Sequence, residues 1–103
     1  MSLSHAEKAF NELRAIGAPV FMGDWGGHFN ISAEQAGRDD YSYKGEKNNA
    51  PSGLPWADYY EIAHFDNHFG YEFGVAPEII AILRKHNLFC EWYNPAVLCV
   101  HDV

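Results

Sequence analysis

Glu61, His64, Asp66 and His68 fall within ten residues, EIAHFDNHFG at 61–70, in a chain with six histidines. No other stretch is as well equipped for chemistry. On a helix, Glu61, His64 and His68 lie at i, i+3 and i+7 and project to one side. Glu-x-x-His is the pairing that carboxylate-bridged metal sites use from a helix, and imidazole with carboxylate suits zinc, iron or manganese. Three features oppose a metal. Asp66-Asn67 and Gly70 end a helix before His68, no second Glu-x-x-His exists for a dinuclear site, and the HExxH motif is absent. A mononuclear site would have to recruit His28, His101 or Asp102 from elsewhere in the fold. The balance favours half-buried histidines in an aromatic corner, with no metal and no cofactor. The alternative is a metal-binding protein or metal-dependent enzyme centred on His64 and His68, with Glu61 as third ligand.

Nucleophilic catalysis has less support. Cys90 or Cys99 beside His86 or His101 lacks an orienting third group, and no G-x-S-x-G elbow is present. A tight turn at Asn94-Pro95 would pair Tyr93 with Ala96 and so set Cys90 opposite Cys99. A cross-strand disulfide is then sterically allowed, although a reducing compartment favours two thiols.

The same region concentrates aromatic rings. Between Trp56 and Phe73 stand seven of them, interleaved with Asp58, Glu61, Asp66 and Glu72. Seven rings exceed what one side of a helix buries, so some serve the core and others are free to meet a partner. Trp56, Asp58, Tyr59, Tyr60, Asp66, Tyr71 and Glu72 are the candidate partner-binding residues.

Charge narrows the classes further. Seven basic against fourteen acidic residues leave a formal charge of −7, with the basic residues scattered. Nucleic-acid binding needs Lys and Arg to neutralise phosphates, so nucleic acid is not an expected ligand. A basic partner protein suits the charge. No apolar run approaches the roughly 18–20 residues of a membrane span. The first residues lack the basic and apolar regions of a signal peptide, so a cytoplasmic protein is expected.

The elements around these residues read as follows. In SLSHAEKAFNELRAIGAP, Ser4 and Glu7 make a capping box. Ala6, Ala9, Phe10, Leu13 and Ile16 form an apolar stripe, and Gly17 then Pro19 stop the helix. PVFMGDWGGHFNIS reads as two short strands around a glycine turn, without the Gly-Lys-Ser/Thr ending of a phosphate loop. Residues 33–55 are polar and rich in turn formers, and read as a long loop. A helix is expected from Pro55 to about Phe65. A further helix covers APEIIAILRKHN, with Pro77 in its first turn and Asn87 as a left-handed cap. LFCEWY and AVLCVHDV complete a C-terminal hairpin in which Trp92 is more buried than Glu91.

The expected fold is one α+β domain over 1–103, a small antiparallel sheet of about four strands in two hairpins with two to three helices packed on it. Both faces of the C-terminal hairpin carry apolar residues, which calls for a second cover, so a homodimer formed through this hairpin or the aromatic corner is expected. The function expected from these readings is a non-enzymatic protein-binding or regulatory module of inhibitor or immunity type.

Overall fold

In the computed structural model, residues 4–32, 50, 56, 57, 59 and 70–103 are described. The order is α1 (His5–Ala15), β1 (Val20–Phe21), β2 (Phe29–Ile31), α2 (Pro77–Lys85), β3 (Leu88–Asn94) and β4 (Val97–Asp102). The four strands form one antiparallel sheet in the order β1-β2-β4-β3, an α+β layout. No helix among the described residues is long and apolar enough to cross a membrane. Of the helix expected over 55–65, the described residues Trp56, Ala57 and Tyr59 are not helical. Trp56 and Tyr59 lie in bends, Ala57 forms an antiparallel bridge with Val75, and the Trp56 carbonyl accepts from the Ala76 amide, so backbone pairing replaces the helix there. The rest of that span, and all of the loop 33–55 except Ala50, lie outside the described residues.

Local chemistry accounts for both helices. The Ser4 hydroxyl accepts from the Glu7 amide while the Glu7 carboxylate accepts from the Ser4 amide, so two orphan donors of the first turn are satisfied reciprocally. Gly17 follows the helix at φ +90, the left-handed conformation that ends it cheaply. Pro77 opens α2, and Asn87 turns the chain into β3 at φ +58. Ala6, Ala9 and Leu13 from α1 and Ile79, Ile80 and Leu83 from α2 are buried together.

Directly paired residues share a sheet face. On the inner face stand Phe29, Val100 and Cys90 in one row and Ile31, Leu98 and Trp92 in the next. Both helices pack there; Phe10 meets Phe29 edge to face at 5.3 Å. The outer face carries Asn30, Cys99 and Glu91 in one row and His101 with Phe89 in another. Its cover is the glycine-rich connection at residues 22–28. Asn30 Nδ2 donates to Gly26 O at 3.0 Å, the Cys99 thiol donates to Trp25 O at 3.6 Å, and the Trp25 ring meets Tyr93 at 5.2 Å. All four residues of Val97–Val100 are consequently buried, with helices on one side and the connection on the other.

The hairpin register departs from expectation. Cys90 pairs with Val100 and Cys99 with Glu91, so the two cysteines lie on opposite faces as free thiols. The physical reason lies in the turn. Asn94 accepts from the Ala96 amide through its own Oδ1 at 2.8 Å, which puts Asn94 at the first turn position and Pro95 at the next, where its fixed φ fits. Asn94 then pairs with Val97, and a register shift at Tyr93 follows. Leu98 and Val100, expected opposite Trp92's face, therefore share it, while Val97 and Cys99 leave it. Trp92 remains partly buried, its indole N–H donating to Phe73 O at 2.9 Å, and Glu91 is exposed.

Two consequences are measurable. A Cβ on Gly27, which sits at φ +73, would lie 2.2 Å from the carbonyl oxygen of Val100. Gly27→Ala should therefore cost more than about 2 kcal/mol in urea unfolding; a loss below about 0.5 kcal/mol, typical of free surface sites, would show that the connection does not seat on β4. Glu12 joins the helices by ion pairs to Lys85 and His86, whose hydrogen bonds hold its carboxyl below its ordinary value. A depressed carboxylate stabilises above its unfolded value and loses that effect as pH falls through the folded one. Glu12→Gln should accordingly lower the melting temperature at neutral pH and leave it close to wild type in strong acid, so that the fall on acidification is flatter.

Candidate functional site

Three elements bring ligand-type side chains together at one end of the sheet. His5 is the first residue of α1, held by the capping box beside it. His28 ends the glycine-rich connection, its amide donating to Val100 O at 2.7 Å. Asp102 closes β4 opposite Leu88. Nε2 of His5 lies 2.6 Å and Nε2 of His28 3.0 Å from the same Asp102 Oδ1, and the two rings meet edge to face at 5.7 Å. Hydrogen bonds from His5 and then His28 keep the Asp102 carboxyl below its ordinary value. The three groups are solvent-exposed, and one ligand atom from each lies within 4.8 Å of the others. His28 also lines a groove of about 320 Å³ with Ser4, Glu7, Phe10, Met22 and Phe29.

His28 and Asp102 were legible in the sequence as residues a site would recruit, whereas His5 was not. No spacing rule connects the start of a helix to a residue 97 positions away. His101 does not join them; it pairs with Glu91 at 3.1 Å and stacks against Phe89. His86 is engaged by Glu12. Glu61, His64 and His68 lie outside the described residues.

A second feature follows β3, an edge strand of the sheet among the described residues. Seven large apolar residues among the described ones are exposed, and four of them stand on or against this strand. Tyr93 (59%) and Phe89 (42%) are on β3 itself. Tyr59 (41%) packs edge to face on Trp92 at 5.4 Å, and Phe73 (38%) accepts the Trp92 indole N–H through its carbonyl. Phe73 and Phe89 also line a hollow of about 140 Å³ with Leu83, Arg84, Leu88 and Cys90. Phe73 sits at φ +40 in a two-residue turn closed by Glu72 and Val75, a conformation costly for an aromatic residue.

The residues expected to bind a partner divide accordingly. Tyr59 is exposed beside β3. Glu72 is half-exposed and bonded to Arg84 at 2.7 Å. Trp56 and Tyr71 are buried and belong to the core, so their rings are not offered to a partner. Asp58, Tyr60 and Asp66 lie outside the described residues. Phe73, Phe89 and Tyr93 were not among the residues expected to meet a partner. Alternation along β3 sets Phe89 and Tyr93 on the face opposite Leu88, Cys90 and Trp92, but how much of that face is covered depends on the packing of other segments against it.

Neither cysteine is placed for nucleophilic work. Burial pushes the Cys90 thiol up to about 12, and burial followed by the Glu91 charge raises Cys99. A thiol disfavoured as thiolate reacts slowly. An aromatic disulfide reagent at pH 8 should leave both thiols unlabelled in the folded protein over minutes and label two per chain in urea; rapid labelling of the native protein would contradict their burial.

The chain matches no family model, no curated protein and no solved structure.

Proposed function

We propose that the protein is a non-enzymatic binding module that takes an extended, basic segment of a partner protein along β3. The observation that carries this reading is the concentration of exposed aromatic side chains on and around one edge strand. Elsewhere on the described surface, large apolar residues are exposed singly, which is ordinary; a cluster of rings is the pattern of an interaction site. Edge strands offer unpaired backbone groups that an incoming strand can satisfy, with alternate side chains supplying specificity.

The sequence of β3 suggests the partner's pattern. Phe89, Glu91 and Tyr93 project from the outer side as aromatic, acid, aromatic, so a strand reading apolar, Lys or Arg, apolar complements it. The formal charge of −7 steers the same class of partner. A second copy fits less well, because an antiparallel twofold pairing centred on Glu91 would oppose two carboxylates. The strained turn supports the reading too. A Phe held at φ +40 is retained at a local cost, and such costs collect at functional positions.

Two fluorescently labelled nonapeptides that alternate valine with lysine or with glutamate test the reading by anisotropy at low salt. The lysine peptide should bind the wild-type chain at least about tenfold tighter, a difference of 1.4 kcal/mol, and Glu91→Lys should abolish or reverse the preference. Equal affinity for both peptides, or no saturable binding, would reject it. Phe73→Asn relieves the φ +40 strain while losing ring burial, so unfolding stability should stay within about 1 kcal/mol of wild type. The lysine peptide should nonetheless bind this variant more weakly.

A further inference from the structure

We propose that His5, His28 and Asp102 form a binding site for one divalent transition-metal ion. Two imidazoles and one carboxylate are the donor set that zinc and non-haem iron sites use, and three protein ligands leave positions for water or an exogenous ligand. The set is assembled from three elements with independent anchors: a capped helix start, a loop end bonded to Val100 O, and a residue paired within β4. A site held by such elements loses little freedom when the ion enters.

Both imidazoles direct Nε2 toward Asp102, so the atoms a metal would use already converge, with one atom from each group inside a 4.8 Å span. A metal requires those nitrogens unprotonated and lets each bond to the ion in place of the hydrogen bond to Oδ1. Exposure of all three groups leaves the ion a path from solvent, and the chain's negative charge favours its approach. His28 belongs both to the ligand set and to the groove beside Phe10 and Phe29, which places a sheltered cavity next to any exchangeable position. The other histidines of the described fold are committed elsewhere, His86 to Glu12 and His101 to Glu91. This site is independent of the partner edge on β3, since it uses none of the aromatic residues invoked there.

The experiment uses untagged protein, stripped with a chelator and then titrated at pH 7.5 with Zn(II) by calorimetry and with Co(II) by visible absorption. Saturation at one ion per chain is expected, with nitrogen-15 resonances of His5 and His28 shifting on Zn(II) addition while those of His86 and His101 stay in place. Asp102→Asn and His28→Gln should each weaken Zn(II) by at least about tenfold, the scale on which losing a supporting group already acts. Circular dichroism of each variant separates a lost ligand from a lost fold. If a variant unfolds, the wild-type histidine shifts decide the question alone. Absence of saturable binding would overturn the proposal and leave the cluster as a hydrogen-bonded clip between α1 and β4. One-to-one binding that persists in a His5→Gln/His28→Gln double variant would overturn it equally, and would move the ion to His64 and His68.

Discussion

The pairing of β2 with β4 is the contact on which the rest of this structure depends. Phe29, Asn30 and Ile31 align with Val100, Cys99 and Leu98 across nearly seventy residues of chain. Closing so long a loop costs entropy that only the packing of both faces repays. The inner face is covered by two helices that also touch each other, and the outer face by the connection that precedes β2. Because that connection must approach the β4 backbone directly, glycine is required where a Cβ would strike Val100 O. A stretch that resembles a simple turn is thus part of the outer packing.

The same pairing creates both candidate sites. It carries His28, the residue just before β2, to the end of β4, where Asp102 and the first residue of α1 already lie. By filling one side of β4 with β2, it leaves β3 on the sheet margin with its aromatic residues turned outward. One end of the sheet is therefore rich in ligand-type groups and one margin rich in apolar surface. Glu12, Lys85 and His86 tie the two helices together on the covered face.

Asn30 shows how the outer cover differs from the core. It is fully buried, donates through Nδ2 to Gly26 O, and leaves its Oδ1 without a partner among the described residues. A buried acceptor of this kind carries a desolvation cost, so the outer layer is a polar seal over Asn30 and Cys99 rather than a second apolar core. The helical side is more apolar, its cluster made of Ala, Leu, Ile, Val, Cys90 and aromatic rings, with Glu78 Oε1 on α2 and Trp56 Nε1 buried without a hydrogen-bond partner among the described residues. Stability is consequently concentrated on the inner face.

Local rules written along the chain determined a great deal. The capping box at Ser4 and Glu7, the stop at Gly17, Pro77 at the start of α2 and Asn87 at its end are choices made within a few residues, and each stands in the structure as the sequence implies. So do the two hairpins and the α+β arrangement, since alternating and helical periods are local signals. The register of the C-terminal hairpin was decided elsewhere. Moving Asn94 from the second to the first turn position shifts the pairing by two, and the irregularity at Tyr93 takes one back. The net shift of one exchanges the faces of β4 and sets Leu98 and Val100 in the core beneath the helices. The meeting of His5, His28 and Asp102 was likewise beyond sequence. Their separation along the chain is bridged only by the β2–β4 ladder and the docking of α1, and contacts of that range exist only once the whole fold has closed.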